Sequence, residues 1–246
     1  MDAEPDRLVR AERAALCDAL AAAGPDAPTR CEGWNTTDLA AHLVVRERRP
    51  DAAAGLLLRP LATHGERVRR RTAAGISFAE LLNRIRIGPP KWSVYAVPGV
   101  DKIANSVEFF VHLEDVRRAA PDWEPRSLSP GMEELLWRHI KIARFALRKV
   151  PVEVTLVRPD GRSMRVSSGR VRTSARSRRS GDGRRAGDKR RPVSKGGRSP
   201  ATGGVRVHGP VGELLLWAAG RADVAHVRLT GARDAVNILE ETGWRL

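Results

Sequence analysis

NSVEFFVHLEDVRRA, at residues 105–119, is the stretch from which the fold can be inferred. Its apolar residues recur at helical spacing, and Arg117 and Arg118 stand where a helix would end, a position that favours cations because of the helix dipole. Glu108 and His112 are four residues apart, so on a helix their Cβ atoms lie about 5–6 Å apart on one face and can reach one ion. Such a pair is also typical of an ordinary helix surface, so this helix alone does not decide between the two interpretations.

A second stretch, WNTTDLAAHL at residues 34–43, contributes another ligand-type side chain. His42 lies among Leu, Ala and Val residues, so on a helix it should face the interior of a bundle. Alone, it would more often be a core histidine with a backbone partner. With Glu108 and His112 it can complete a set of two histidines and one carboxylate, and three protein ligands leave coordination positions open for water or substrate. The sequence therefore predicts that these three residues bind one divalent metal ion.

The N-terminal part of the chain has the pattern of five amphipathic helices. Gly24 ends the first, Asn35 is a plausible N-cap for the second, and Pro50 stops the second at or before Arg49. Mostly short connections predict an up-down bundle of four main helices plus one. The predicted segments are residues 6–24, 35–49, 78–87, 100–120 and 130–150.

The pattern changes after Pro151. Alternating apolar residues predict strands, the RPDGR turn at 158–162 predicts a hairpin, and two later segments have helical spacing. The predicted fold is α+β, with a helical bundle over residues 1–150 followed by a small α+β domain over residues 151–246. The predicted strands are 152–157, 163–168, 205–209 and 226–231, and the helices are 210–221 and 232–243.

The basic charge is confined to one segment. The net charge is +15 with a pI near 11.2, but residues 162–198 contain fourteen Lys and Arg against two Asp, so this segment carries +12 of it. Residues 169–204 contain no Leu, Ile, Phe, Trp or Tyr and cannot bury enough apolar surface to offset their ordering entropy. The sequence therefore predicts a disordered basic loop at about 169–204.

Three interpretations of residues 169–204 compete. The segment is a solvated disordered loop, or it binds a polyanion such as nucleic acid through salt-sensitive phosphate contacts. Binding to nucleic acid is the less favoured of the two, because the segment has no aromatic residue for stacking on bases. In the third interpretation it is a short out-of-frame translation between two compensating indels, which resequencing would test.

Other features of the sequence exclude several classes of protein. No apolar run approaches the roughly 18 residues of a membrane span, and the N-terminus lacks the pattern of a signal peptide. Cys17 and Cys31 have no CxxC spacing, so we expect buried free thiols. These observations predict a cytoplasmic protein that does not associate with membranes.

The two quoted stretches resemble the metal-binding domain of the mycothiol-dependent maleylpyruvate isomerase family, within the DinB/YfiT-like four-helix bundles. That family's pattern is a Trp, a short polar turn and a D-L-x-x-H-L helix, followed later by an E-x-x-x-H helix that runs into D-x-x-R-A. Carried over to this chain, the family's ligands fall on His42, Glu108 and His112. The resemblance covers roughly residues 5–150, and the region after 151 is similar to the smaller C-terminal domain of the same family.

The resemblance implies two cofactors. Two imidazoles and one carboxylate suit Zn²⁺, although the same set can hold Fe(II), Ni(II) or Mn(II). In relatives, the ion activates the thiol of a small cofactor, mycothiol or bacillithiol, for transfer to an electrophilic substrate or for cis–trans isomerisation.

Two neighbours of the predicted ligands have alternative interpretations. Arg46, with Arg48 or Arg49, either contacts an anionic group of such a thiol or belongs to a solvated helix end. Asp115 either accepts a hydrogen bond from a ligand imidazole or pairs with Arg118.

Three functions follow from these observations. The first is a metal-dependent thiol S-transferase or cis–trans isomerase, whose partners are a small thiol and an electrophilic substrate. The second is a metal-binding or sensor protein without turnover, and the third is a polyanion-binding protein that acts through the basic segment. A monomer and a dimer are both compatible with the sequence.

Overall fold

The computed structural model describes residues 3–52, 62–96, 100–169 and 203–244, and it has the predicted α+β fold. An N-terminal DinB-like bundle of helices is followed by a small four-stranded sheet with two helices. The helices are α1 (Ala3–Ala23), α2 (Thr36–Arg48), α3 (Ala62–Gly75), α4 (Phe78–Ile87), α5 (Val100–Arg117), α6 (Pro130–His139), α7 (Ala143–Ala146), α8 (Val211–Ala218) and α9 (Arg233–Glu241). The strands are β1 (Glu153–Val157), β2 (Ser163–Ser168), β3 (Val205–His208) and β4 (Arg228–Thr230).

The start of α2 is fixed by a capping box. The Asn35 side chain accepts a hydrogen bond from the backbone N–H of Asp38, and the Asp38 carboxylate accepts one from the backbone N–H of Asn35. Both contacts satisfy N–H groups that a helix leaves unpaired at its first turn. The helix ends at Arg48, before Pro50, as the sequence predicted. His42 is therefore held at a fixed position on a helix whose two ends are well defined.

Helix α3 was not predicted from the sequence. Its segment, ATHGERVRRRTAAG, offers only Val68 as a large apolar residue, so no apolar stripe marks it. Val68 packs with Val45 and Ala52 in a small cluster, and the buried Arg69 pairs with Asp38 and Glu66. Charge pairs and this small cluster take the place of the apolar stripe that an amphipathic helix normally shows.

The last bundle helix was predicted as one continuous segment, 130–150, and this prediction was wrong. Helix α6 ends at His139, and two 3₁₀ turns, Ile140–Ile142 and Leu147–Lys149, flank the short α7. The buried positions that follow α6 are three or four residues apart, a spacing that both α and 3₁₀ geometry can present to a core. The apolar pattern therefore located the buried face without fixing the type of helix. These buried residues are Ile140, Ala143, Leu147 and Val150.

The sheet has the order β2-β1-β3-β4. Strand β1 pairs with β2 in antiparallel orientation and with β3 in parallel orientation, and β3 pairs with β4 in antiparallel orientation. The hairpin between β1 and β2 turns at Gly161, which has a φ of 86° and therefore occupies a conformation that favours glycine. One continuous cluster of buried residues joins the bundle to the sheet and α8. The division of the chain at residue 150 stays a prediction.

Most of the predicted basic loop lies outside the described residues, which stop at Gly169 and resume at Gly203. Both ends of this interval pack against Glu153 of β1. A Cβ added to Gly169 would lie 2.9 Å from the backbone N of Glu153, and one added to Gly204 would lie 3.3 Å from the Cβ of Glu153. Within the described residues, no helix is long and apolar enough to cross a membrane.

Candidate metal centre

Three ligand-type side chains converge between α2 and α5. His42, Glu108 and His112 each offer one ligand atom, and these atoms lie within 4.8 Å of one another. Glu108 Oε1 lies 2.9 Å from His42 Nε2 and 3.3 Å from His112 Nε2. Ligands of a tetrahedral Zn²⁺, bound at about 2.0–2.2 Å, are themselves about 3.3 Å apart. The two distances to Glu108 are therefore close to the spacing of ligands around one small cation, and the third distance, between the imidazole nitrogens, is at most 4.8 Å.

The regular geometry of α5 places its polar side chains on one face. Asn105, Glu108, His112 and Asp115 follow one another at intervals of three, four and three residues, which a helix stacks one above the other. The flanking residues Val107, Phe109 and Val111 are apolar and buried. The stripe faces α2 and the loop before it, because Asn105 and Glu108 contact Arg46 and His42 while Asp115 contacts Cys31. His42 on α2 completes the cluster from the opposite side.

Arg46 is the positive partner of Glu108. Its Nε lies 3.4 Å from Glu108 Oε1, its guanidinium donates to Asn105 Oδ1, and its Cζ lies 4.3 Å from the centre of the Tyr95 ring. Only 6% of Arg46 is exposed, so the interpretation of this residue as a solvated helix end is wrong. Burial would raise the pKa of Glu108, but Arg46 and the hydrogen bonds with the two histidines outweigh it and hold that pKa well below its ordinary value.

His42 and His112 differ in their electrostatic environment. Burial lowers the pKa of His42 and outweighs its contact with Glu108, so the neutral imidazole that a metal requires is favoured. Burial acts on His112 in the same direction, but hydrogen bonds to Asp115, Cys31 and Glu108 raise its pKa well above the ordinary value. His112 Nδ1 lies 2.9 Å from Asp115 Oδ2. His112 would have to lose its Nε2 proton to bind a metal; with the Nδ1–H still donating to Asp115, the Nε2 lone pair would then face Glu108 and His42.

Asp115 pairs with His112 and not with Arg118, which resolves the alternative left open by the sequence. Its second partner is Arg221, from the C-terminal part of the chain, at 2.9 Å and 2.7 Å. Asp115 is fully buried, and burial alone would raise its pKa. The hydrogen bonds from His112 and Arg221 outweigh burial and lower the pKa far below its ordinary value, so Asp115 is charged. Arg118 pairs instead with Glu114 and Glu213.

A second group of ligand-type atoms shares His112. Cys31 Sγ lies 3.1 Å from Asp115 Oδ2 and 3.7 Å from His112 Nδ1, so these three residues also offer ligand atoms within 4.8 Å of one another. The guanidinium of Arg221 contacts both Cys31 Sγ and Asp115 in the same space. A metal cation there would be repelled by Arg221, whose Nη2 lies 2.7 Å from Asp115 Oδ2, whereas in the first group Arg46 Nε lies 3.4 Å from Glu108 Oε1. On this comparison we favour the first group as the metal site.

Cys31, Tyr95 and Arg221 were missed as parts of the site. The Trp34 ring lies 5.1 Å from the His42 ring and forms a wall of the cluster. Trp34 and Cys31 precede the capping box of α2, so their closeness to His42 on the chain was an available signal. Arg221 had no such signal, because 106 residues separate it from Asp115.

The sequence model of the mycothiol maleylpyruvate isomerase N-terminal domain matches residues 7–140, more than half of the chain. The chain belongs to this family. The match covers α2, α5 and all three residues of the candidate metal centre, and it confirms the resemblance found in the sequence. Arg221 lies outside it. No curated protein and no solved structure matches the chain significantly.

Proposed function

We propose that this member of the mycothiol maleylpyruvate isomerase family binds one divalent metal ion, preferentially Zn²⁺, through His42 Nε2, His112 Nε2 and the Glu108 carboxylate. The observation that carries the proposal is the convergence of these three ligand atoms, from two helices, within 4.8 Å. Two imidazoles and a carboxylate leave a fourth position open, which is the pattern of catalytic rather than structural zinc.

We further propose that the centre handles a small thiol, of the kind that the family's name indicates, as an S-transferase or cis–trans isomerase. A divalent ion with open coordination positions lowers the pKa of a bound water or thiol. Arg46 and Arg221 flank the ligand set and offset the charges of Glu108 and Asp115. The ion's own charge is thus left largely uncompensated, which favours an anionic group such as a thiolate at the open position.

The protein's own residues have separate roles in this proposal. His42, Glu108 and His112 hold the ion, and Asp115 fixes the orientation of the His112 ring. Arg46 keeps Glu108 ionised and in place. Trp34 covers the His42 ring and limits access of water to that side of the site.

The proposal is tested by metal content and metal binding. The full-length protein, freed of metal by a chelator, should bind one equivalent of Zn²⁺ in a calorimetric titration, and His42→Ala and His112→Ala should each abolish stoichiometric binding. His208→Ala, which changes a histidine of β3 whose described hydrogen bond is to Thr230 and not to the cluster, is the matched control and should bind one equivalent. Full stoichiometry in both cluster variants would refute the ligand assignment.

The thiol is tested separately on the zinc-loaded protein. Mycothiol, and bacillithiol as a second thiol, should bind with measurable affinity and react with an electrophilic substrate such as maleylpyruvate only when the ion is present. A protein that binds Zn²⁺ and neither thiol would instead support the non-catalytic metal-binding or sensor function.

A further inference from the structure

Arg221 is presented to the bundle by the end of α8. Gly220, with a φ of 85°, reverses the chain just after the helix, and the backbone N–H of Arg221 donates to Leu216 O. The Arg221 Nη1 donates to Ala219 O at 2.7 Å, so the guanidinium is bound to its own turn as well as to its partner. These contacts with its own turn therefore hold the Arg221 side chain in one orientation, independently of its contacts with the bundle.

The guanidinium meets Asp115 in a two-point contact. Arg221 Nε lies 2.9 Å from one carboxylate oxygen and Nη2 lies 2.7 Å from the other. Such a forked contact fixes the plane of a carboxylate, which a single hydrogen bond does not. The oxygen that Nη2 contacts is the same oxygen that accepts from His112 Nδ1. A continuous chain of hydrogen bonds thus runs from α8 through Asp115 to the ring of His112.

We infer that Arg221 is a positioning residue of the metal centre: it holds the Asp115 carboxylate in the plane that keeps His112 with its Nδ1–H on Asp115 and its Nε2 toward His42 and Glu108. The inference rests on the proposed metal site and extends it to the C-terminal part of the chain, beyond the residues that the family model matches. The Asp115 carboxylate is fully buried. Among the described residues its cationic side-chain partners are the His112 imidazole and Arg221, so without Arg221 only the imidazole is left. The ring then loses its fixed acceptor.

A purely structural role would give a different pattern of effects. The contact surface between the bundle and α8, here called the seam, contains the Arg221–Asp115 pair. It also contains the buried pair Arg118–Glu213, which makes no described contact with the metal cluster. It also contains an exposed contact between Arg30 and Asp223, close to Arg221 in sequence. If Arg221 only tied α8 to the bundle, its loss would resemble the loss of Glu213. If Arg221 is a positioning residue, its loss should change the hydrogen bond of the His112 Nδ1–H and lower the affinity for metal.

The experiment compares Arg221→Ala with Glu213→Gln and Arg30→Ala in the full-length protein. Two readouts are measured on each variant: the hydrogen bond of the His112 Nδ1–H in the metal-free protein, by the ¹H chemical shift and solvent exchange of that proton in NMR, and the dissociation constant for Zn²⁺, by competition with a chelator. Arg221→Ala should move this proton to a lower chemical shift, speed its exchange with solvent and weaken Zn²⁺ binding about 10–100-fold, as is usual when the partner of a ligand histidine is lost. The two control variants should keep the proton signal and the affinity of the wild type.

A second variant covers the case in which Arg221→Ala does not fold. Asp115→Asn combined with Arg221→Ala removes the uncompensated charge and keeps the shape of the side chain, so it should fold. Its neutral amide is a weaker acceptor than a carboxylate, so its Zn²⁺ affinity should remain below that of the wild type. A wild-type Nδ1–H signal and wild-type affinity in folded Arg221→Ala, or wild-type affinity in the double variant, would overturn the inference. A wild-type protein that binds no Zn²⁺ would refute the proposed function alone, because the comparison of the His112 Nδ1–H signal still decides the role of Arg221.

Discussion

Arg118 of α5 and Glu213 of α8 form a forked ion pair in the seam between the bundle and the C-terminal part of the chain. Arg118 Nη2 lies 2.5 Å from Glu213 Oε1, Nη1 lies 3.0 Å from Oε2, and both side chains are almost fully buried. Glu213 also accepts a hydrogen bond from the backbone N–H of His226. The pair sits one turn beyond the Asp115 contact, so the seam is held by two adjacent arginine–carboxylate pairs.

Removal of the Glu213 charge should destabilise the protein strongly. Breaking a buried ion pair from one side costs about 3–5 kcal/mol, and because Arg118 keeps Glu114 as a second partner, the loss here should lie near the lower end, at about 3 kcal/mol. Glu213→Gln should lower the free energy of unfolding by about this amount in urea denaturation. Glu134→Gln is the control, because Glu134 pairs with Arg162 at the surface and such pairs contribute about 0–1 kcal/mol. Equal losses in the two variants would contradict the role assigned to Glu213.

Gly212 should not tolerate a side chain. A Cβ at this position would lie 2.8 Å from Phe110 Cζ and 3.3 Å from Leu128 Cδ1, so α8 approaches α5 as closely as a glycine allows. Gly212→Ala should destabilise the protein by about 1–3 kcal/mol through overpacking, more than the gain of about 1 kcal/mol in helix propensity. Phe110→Leu should recover part of this loss in the double variant. Gly75→Ala, where the added methyl would meet no atom within 4 Å, serves as the control and should be neutral or stabilising.

Cys17 should make the protein less stable in alkali. Burial raises the pKa of the Cys17 thiol to about 11, above its ordinary value near 9. Because the raised pKa belongs to the folded state, the extra stability is complete below pH 9 and is lost as the pH rises toward 11. The shift corresponds to about 2–3 kcal/mol. The difference in unfolding free energy between wild type and Cys17→Ala, measured in urea at pH 8 and pH 11, should change by about this amount.

The same burial predicts unequal reactivity of the two thiols. Cys17 has no exposed surface, whereas Cys31 is partly exposed beside Arg221. Iodoacetamide at pH 8 should therefore label Cys31 in the folded protein and label Cys17 only after unfolding, as read by mass spectrometry of peptides. Labelling of both thiols at equal rates in the folded protein would contradict the packing around Cys17.

Much of the fold could be predicted because most helices and strands have a recognisable pattern in their own residues. The hairpin at Gly161, the cap at Asn35 and the apolar runs of α8 and β3 each combine a strong pattern with a turn or capping signal. Helix α3 has neither, since its stability comes from Val68 and from ion pairs with Arg69. The segment after α6 was misjudged because α and 3₁₀ turns can bury the same positions.

The candidate site also has a part that could be predicted from the sequence and a part that could not. His42, Glu108 and His112 are ligand-type residues on two helices with strong patterns, so their convergence could be predicted from periodicity and the family resemblance. Their role as ligands stays a prediction. The contact between Asp115 and Arg221 depends on how the C-terminal part packs on the bundle, and no local pattern encodes a contact across 106 residues.

Residues 170–202 should be removable without loss of the fold. Gly169 and Gly204, beside the two ends of this stretch, both approach Glu153 of β1, where β2 ends and β3 begins, and two strands separated by a third are about 10 Å apart. A variant in which a short Gly-Ser linker replaces 170–202 should keep the melting temperature and the Zn²⁺ stoichiometry of the wild type. It should also lose any salt-sensitive binding to DNA, because the excised stretch contains twelve Lys and Arg against two Asp. Loss of folding would show that the sheet depends on these residues.

Gly169 and Gly204, which pack against Glu153, affect how the length of the chain between them can change in evolution. Because β1 lies between β2 and β3, the register of the sheet is set by strand pairing and by the close approach of Gly169 and Gly204 to the same residue. The entropic cost of closing a flexible connection grows only by about 0.6 kcal/mol for each doubling of its length. On this entropy term alone, insertions and deletions between these glycines cost the sheet little, so the interval can diverge in length and composition while the candidate metal centre between α2 and α5 stays under separate constraint.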